Sequence, residues 1–93
     1  MTINSMPTFD AAEMRAAGLT PQVLGRLIGI SRVTASYWLN GHRQPHPLLR
    51  RKVVLLLDGV RREVQIGVLP PPAALPVKKR GQLVEAALAK YFQ

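Results

Sequence analysis

The sequence predicts an all-α fold, and three observations carry this prediction. Apolar residues recur at the three- and four-residue spacing of helices, and no segment shows the alternation of a β-strand. The first predicted helices begin at residues that suit an N-cap and end at glycines, which accept the left-handed backbone of a C′ position. With 93 residues, of which 47% are hydrophobic, the chain has enough material for one modest core.

The first predicted helix covers about residues 9–17. Asp10 and Glu13 have the spacing of a capping box, and Thr8 is an alternative N-cap. Gly18 is the natural C′ residue, so we expect the helix to end there.

Two short helices follow, with a brief joint between them. The first of the pair is capped by Thr20 and ends at Gly29, and the second is capped by Ser31 and ends at Gly41. Helices with so short a joint cannot lie antiparallel and must cross at a steep angle. Gly25 lies inside the first of them, where its missing side chain would allow the second to approach closely.

A longer helix is predicted from about Pro47. Gly59 lies within it, and the sequence leaves open whether the helix continues through this glycine or breaks there. Its predicted buried stripe consists of Leu49, Val53, Leu56, Leu57, Val60 and Val64.

The C-terminal part is predicted to be a proline-rich basic linker, residues 70–80, and a final amphipathic helix, residues 81–93. The basic residues 78–80 either belong only to the linker or make a second contact with phosphate. The apolar stripe of this helix consists of Leu83, Val84, Ala87, Leu88, Tyr91 and Phe92. The stripe either folds back on its own domain or pairs with a second copy of the chain. Because the linker is expected to hold the helix away from the bundle, we favour dimerisation.

The charge of the chain is strongly basic, with 13 Lys and Arg against 5 Asp and Glu and a net charge of +8. No acidic residue lies between Glu13 and Asp58. A polyanion is the natural partner of such a surface, because each neutralised phosphate releases condensed counterions. The alternatives are general solubility and attraction to an acidic protein or membrane surface. The basic residues of this interval are Arg15, Arg26, Arg32, Arg43, Arg50, Arg51 and Lys52.

Several classes of protein are disfavoured by what the sequence lacks. The chain has no cysteine and two histidines, so we expect neither a disulfide framework nor a metal site. Residues 1–10 lack the basic start and apolar run of a signal peptide, and no apolar run is long enough for a membrane span. These absences favour the cytoplasm. We expect no enzyme and no cofactor, because no nucleophile–base pair, carboxylate pair or phosphate-binding glycine loop is recognisable.

Residues 19–45 predict a helix-turn-helix. Gly29 supplies the tight turn, while Ile30, Ala35 and Trp38 fall where the helix pair needs inward apolar contacts. A helix fits the major groove of DNA, so the outward side chains of residues 31–40 would face base edges. These outward positions are Arg32, Val33, Ser36 and Tyr37.

This stretch resembles the Cro and phage-repressor family of helix-turn-helix proteins, also called the XRE family. The resemblance covers residues 9–57 and rests on the Gly29-Ile30-Ser31 turn and the ending Asn40-Gly41-x-Arg43-x-Pro45. It implies a compact bundle of four or five helices, dimeric binding to near-palindromic operators and, usually, transcriptional repression. We therefore expect residues 1–69 to form a DNA-binding domain of a regulator, of phage or mobile-element type, that works as a homodimer on double-stranded DNA.

The resemblance also implies which side chains contact DNA. Arg32 would pair with guanine and Val33 would meet a thymine methyl group. Pro21 stands where family members often have a phosphate-binding glutamine, and Gln22 is the candidate replacement. The positions that match base contacts or lie beside them are Arg32, Val33, Thr34, Ser36 and Tyr37. The expected phosphate contacts are Ser31, Asn40, His42, Arg43 and Gln22.

Two alternatives stay open at this point. Tyr37 either contacts bases or packs against Arg43 or the following loop. The whole chain is alternatively a protein-interaction module, an antitoxin or an adaptor, in which the helix-turn-helix and residues 81–93 bind another protein. An antitoxin that represses its own operon would combine both functions.

Overall fold

The computed structural model describes residues 8–93, which fold into helices and connecting loops without a strand. Predictions that concern residues 1–7, including the start of the 1–69 domain and most of the segment tested for a signal peptide, lie outside the described residues. No helix in the described range is long and apolar enough to cross a membrane. The α-helices are α1 (Ala11–Ala16), α2 (Pro21–Ile28), α3 (Arg32–Leu39), α4 (Arg50–Gln65) and α5 (Val77–Ala89). Two 3₁₀ helices, Pro47–Leu49 and Lys90–Phe92, precede α4 and follow α5.

The all-α prediction is confirmed, and its first three helices begin at predicted caps. In each case a side-chain oxygen accepts a hydrogen bond from the backbone N–H three residues later, which satisfies a donor that the helix itself cannot pair. The acceptor and donor pairs are Asp10 with Glu13 at 3.0 Å, Thr20 with Val23 at 3.3 Å and Ser31 with Thr34 at 3.1 Å.

The core lies between α1, α2, α3 and α4 and is closed by α5. Met14, Leu24 and Leu56 are fully buried at its centre. Trp38 belongs to this core, as predicted, and its ring meets the ring of Phe9 edge-on with 5.7 Å between centroids.

α5 packs on its own domain, against α2 and α4. Val84 and Leu88 of its apolar stripe are fully buried. The expectation that the linker holds this helix away from the bundle, free to pair with a second copy, is therefore wrong. Leu69 is buried, and Pro71 lies so close to Gly18 that an added Cβ would be 2.7 Å from it. The linker is thus packed on the domain, and the apolar stripe of α5 is shielded from water by its own chain.

α5 also begins earlier than predicted, at Val77 instead of residue 81. The N–H of Arg80 donates to the carbonyl of Pro76 at 2.9 Å, which forms the first helical turn. The basic residues 78–80 therefore lie on α5 and not on the linker.

α4 is one continuous helix, and Gly59 leaves room for the aromatic ring of Tyr91. A Cβ atom on Gly59 would lie 2.8 Å from Cδ2 of Tyr91. The prediction that Val64 is buried is wrong, since 44% of it is exposed, and the neighbouring Glu63 is buried in its place.

The buried carboxylate of Glu63 has two partners, the half-buried Tyr91 and the exposed Lys90. Its carboxylate accepts a 2.6 Å hydrogen bond from the Tyr91 hydroxyl and lies 3.2 Å from Nζ of Lys90. The Tyr91 hydrogen bond, followed by Lys90, holds the pKa of Glu63 below its ordinary value, although burial acts in the opposite direction. The same hydrogen bond, aided by burial, raises the pKa of Tyr91. The segment Lys90–Phe92 is thereby held against α4 through the buried Glu63 carboxylate, whose polar contacts are satisfied.

We predict that Gly59→Ala destabilises the protein, although alanine is favoured over glycine inside a helix by about 1 kcal/mol. The methyl group must displace the Tyr91 ring, and such overpacking costs about 1–3 kcal/mol. Denaturant unfolding of Gly59→Ala measures the net effect.

The matched control is Gly81→Ala in α5, where the added Cβ would lie 3.7 Å from Val23, an ordinary contact. This variant should gain about 0.5–1 kcal/mol. In a Tyr91→Ala background, Gly59→Ala should become stabilising as well. Equal gains for both glycines in the wild-type background would show that the ring does not rest on Gly59.

We also predict a specific acid sensitivity from Glu63. Its folded pKa lies below its ordinary value of 4.5, so the unfolded chain binds the proton first as the pH falls. The stabilising contribution is therefore present above that value and is lost below it. Glu63→Gln keeps an oxygen for Tyr91 but cannot titrate there. Its unfolding free energy should fall less than that of the wild type between about pH 6 and about pH 3.5.

Asp58→Asn, which removes an exposed carboxyl from the same helix, is the control for the loss of one negative charge. If the unfolding free energies of the wild type and Glu63→Gln fall in parallel as the pH decreases, the acid sensitivity does not come from Glu63.

Candidate nucleic-acid interface

The joint between α2 and α3 is built around Gly25 and Gly29. A Cβ atom on Gly25 would lie 2.9 Å from the carbonyl oxygen of Ile30, so α2 and the turn are in direct contact, as predicted. The Gly25 carbonyl accepts hydrogen bonds from the N–H groups of Gly29 at 2.8 Å and Ile30 at 3.0 Å. Gly29 has φ +86°, a left-handed conformation that glycine adopts without strain. The turn therefore sets the rotation of α3 about its own axis.

α3 has one buried and one exposed face. Its inward residues Ala35, Trp38 and Leu39 are buried in the core. On the outward face Arg32 is exposed, and so are Val33 and Tyr37, with 62% and 41% of their surfaces accessible. A cation, an aliphatic group and an aromatic ring thus share one solvent-facing surface, which we call the α3 face.

The other two predicted base contacts, Thr34 and Ser36, are half-buried and already have partners. The Thr34 hydroxyl accepts from the Ser31 hydroxyl at 3.0 Å, and the Ser36 hydroxyl accepts from Nδ2 of Asn40 at 3.2 Å. These bonds also involve Ser31 and Asn40, two of the predicted phosphate contacts. The three hydroxyls both donate and accept, and the Asn40 amide keeps a second N–H and its oxygen, so all four groups retain capacity for a further bond. Their first role is to fix the ends of α3.

Tyr37, His42 and Arg43 form a cluster at the end of α3. The guanidinium carbon of Arg43 lies 5.1 Å from the centroid of the Tyr37 ring, and the His42 ring approaches edge-on at 6.4 Å. The backbone N–H of His42 donates to the Tyr37 carbonyl at 2.9 Å. Tyr37 therefore packs against Arg43, which was one of its two alternatives, and it holds the guanidinium beside the α3 face by a cation–π contact.

Two of the basic residues that the sequence assigned to the polyanion-binding surface act inside the fold. Arg15 donates to the carbonyl of Leu39, and Nζ of Lys52 donates to the carbonyl of Ile28 at 3.0 Å. Each cation thus satisfies an end carbonyl of α3 or α2, where positive charge is favourable. Composition alone could not show which cations hydrogen-bond to the backbone of the fold.

Three of the five acidic residues form ion pairs, and none of these pairs includes a residue of the α3 face. Within residues 8–93 no ion pair includes a residue of α3 or of the loop that follows it. Arg32, Arg43, Arg50 and Arg51 are exposed, and within residues 8–93 their side chains form neither a hydrogen bond nor an ion pair. The ion pairs are Arg26 with Glu85 at 2.9 Å, Arg61 with Glu13 at 3.0 Å and Lys90 with Glu63 at 3.2 Å.

Sequence reasoning assigned Lys78 to the linker, whereas it lies on α5 beside Arg32 of the α3 face. Gln22, the predicted replacement for a phosphate-binding glutamine, is exposed and lines a groove together with Arg32 and Lys78. The charge run at residues 78–80 was the available signal, but its assignment to a linker hid its position.

Comparisons of the chain with protein-family models, with curated proteins and with solved structures give no significant match. The resemblance of residues 9–57 to the Cro and phage-repressor family stays a prediction that rests on the motif.

We predict that Gly25→Ala disturbs the joint and lowers the melting temperature. The added methyl group would meet the backbone of Ile30, which cannot rotate away as a side chain can. An overpacking cost of about 1–3 kcal/mol corresponds to a decrease of about 4–8 °C for each kcal/mol in a domain of this size. Calorimetry measures the decrease, with Gly81→Ala again as the control. A Gly25→Ala protein that melts at or above the wild-type temperature would contradict the close approach.

Proposed function

We propose that this chain is a sequence-specific double-stranded DNA-binding transcriptional regulator that reads the major groove with α3. The observation that carries the proposal is the division of α3 into a core face and an exposed face bearing Arg32, Val33 and Tyr37. A helix about 10–12 Å wide fits a major groove about 12 Å wide. The protein would act as a binding protein and not as an enzyme, and a cytoplasmic location accords with this role.

The side chains of the α3 face suit direct readout. The planar fork of Arg32 matches the two acceptors of guanine, and the methyl groups of Val33 match the thymine methyl group. Arg43, held by the Tyr37 ring, supplies a charge for the phosphate backbone next to the bases that α3 reads. Repression would follow from occupation of an operator, which excludes polymerase.

A homodimer on a near-palindromic operator is part of this proposal, because one helix-turn-helix makes few base contacts. Two copies would place their α3 helices about one helical turn, roughly 34 Å, apart. The contact between copies would have to use apolar side chains other than Val84 and Leu88, which are buried within the chain. The large apolar side chains exposed outside α3, within residues 8–93, are Leu48, Val64, Ile66, Val68 and Val77.

The second candidate function is an antitoxin or protein-interaction adaptor. It is now favoured by the exposed apolar residues Val64, on the last turn of α4, and Ile66 and Val68, in the segment that follows, and not by the largely packed stripe of α5. A stoichiometric protein that co-purifies with the chain in high salt would support this candidate, whereas nucleic acid that salt releases would support DNA binding.

We predict that Arg32→Ala and Arg43→Ala weaken DNA binding in different ways. Loss of Arg32 should cost about 1–3 kcal/mol on the preferred duplex and relax the preference at one base pair. Loss of Arg43 should weaken all duplexes alike and make the salt dependence shallower by about 0.9 in log–log slope. The measurements are fluorescence-anisotropy titrations on a duplex selected by the wild-type protein from a random pool and on a scrambled duplex.

The selected consensus itself tests the assembly, since twofold symmetry indicates a dimer. If neither substitution changes the affinity for either duplex, these residues do not contact DNA and the proposed roles are wrong.

A further inference from the structure

A groove lies between the start of α2 and the start of α5, and it reaches the α3 face at Arg32. Arg32 lines it from α3, Gln22 from α2, and Lys78 and Gln82 from α5. The groove therefore connects the proposed base-reading arginine with a cation that lies 46 positions further along the chain, outside the α2–α3 motif.

The start of α5 is fixed in this position by contacts along the helix. Nε of Arg26 lies 3.0 and 3.2 Å from the two carboxylate oxygens of Glu85, which joins α2 to α5. An added Cβ on Gly81 would be within 3.7 Å of Val23, and Val84 is fully buried one turn further on. Lys78 is therefore carried by the same packed unit as α3 and not by a loose tail.

Positive charge accumulates at this end of α5 without compensation. Lys78, Lys79 and Arg80 are consecutive, and the first turn of α5 contains no acidic residue. Within residues 8–93 none of the three takes part in an ion pair. Adjacent like charges repel one another, and an anion bound at Lys78 would offset part of that repulsion.

We propose that Lys78 binds a backbone phosphate of DNA beside the bases read by α3, so that the interface extends from the α2–α3 motif onto α5. This inference rests on the proposed function. The lysine ammonium is a compact charge that suits phosphate, and a phosphate contact sets register and affinity without carrying sequence information. α5 thus contributes to the DNA interface with its first turn and to the core with its apolar stripe.

The test compares Lys78→Gln with Arg62→Gln, which removes one charge from an exposed residue of α4 that does not line the groove. The probes are the duplex that the wild-type protein selects from a random pool and a scrambled duplex of equal length. Anisotropy titrations between about 50 and about 200 mM salt give the slope of log affinity against log salt concentration. Circular dichroism confirms that each variant is folded.

Lys78→Gln should make the slope shallower by about 0.9, the value for one phosphate contact. It should weaken both duplexes alike and leave the ratio of their affinities unchanged. Lys78→Arg should restore the wild-type slope, and Arg62→Gln should change it much less. Arg32→Ala, measured in parallel, should reduce the ratio between the duplexes.

Equal slopes for Lys78→Gln and Arg62→Gln would overturn the inference, because the charge would then act only through the overall field of the protein. A selective wild-type protein would leave the proposed function standing in that case. A wild-type protein that binds no duplex at low salt would overturn both.

Discussion

The arrangement of the molecule depends on the contact between Gly25 and the backbone of the turn that follows α2. Because Gly25 has no side chain, the carbonyl oxygen of Ile30 occupies space that a Cβ atom at position 25 would require. This approach fixes where α3 begins and how it is rotated, so that Trp38 enters the core while Arg32 faces solvent. A rotation of α3 would bury the cation or expose the indole, and both changes are costly.

The distribution of charge follows from how the helix ends are satisfied. Arg15 and Lys52 donate to the end carbonyls of α3 and α2, so two of the basic residues help to hold the motif together. The acidic side chains Glu13, Glu63 and Glu85 find partners on α4, after α5 and on α2. The surface around α3 therefore stays positive, because these acidic side chains pair with cations on other helices. An excess of basic residues alone would not produce this asymmetry.

Local features of the fold could be predicted from the sequence because they depend on neighbouring residues. The caps at Thr20 and Ser31 and the left-handed Gly29 each involve groups within a few positions, and all three are present. The two faces of α3 followed from helical periodicity and the turn. The cluster of Tyr37 with Arg43 was one of two alternatives, because the loop that carries Arg43 has no regular period.

The features that could not be predicted depend on residues distant in sequence. Glu63 is buried because Tyr91, 28 positions away, donates to its carboxylate. Without that partner the periodic pattern of α4 assigned the buried position to Val64. Gly59 was ambiguous for the same reason, since only the Tyr91 ring explains it. The apolar stripe of α5 fitted a second chain as well as its own domain, and its periodicity does not distinguish the two.

The position of α5 links stability to the proposed interface. Its residues Val84 and Leu88 complete the core, while Lys78 on its first turn lines the groove beside Arg32. A ligand that binds only the folded chain stabilises it in proportion to the logarithm of its concentration over the dissociation constant. DNA bound by both α3 and α5 would therefore disfavour the separation of α5 from the bundle, which would also remove one of the contacts that hold the DNA. Because the Arg26–Glu85 pair joins α2 to α5 and Arg26 also lines that groove, a disturbance of α5 would reach the proposed interface through a direct contact and not through the linker.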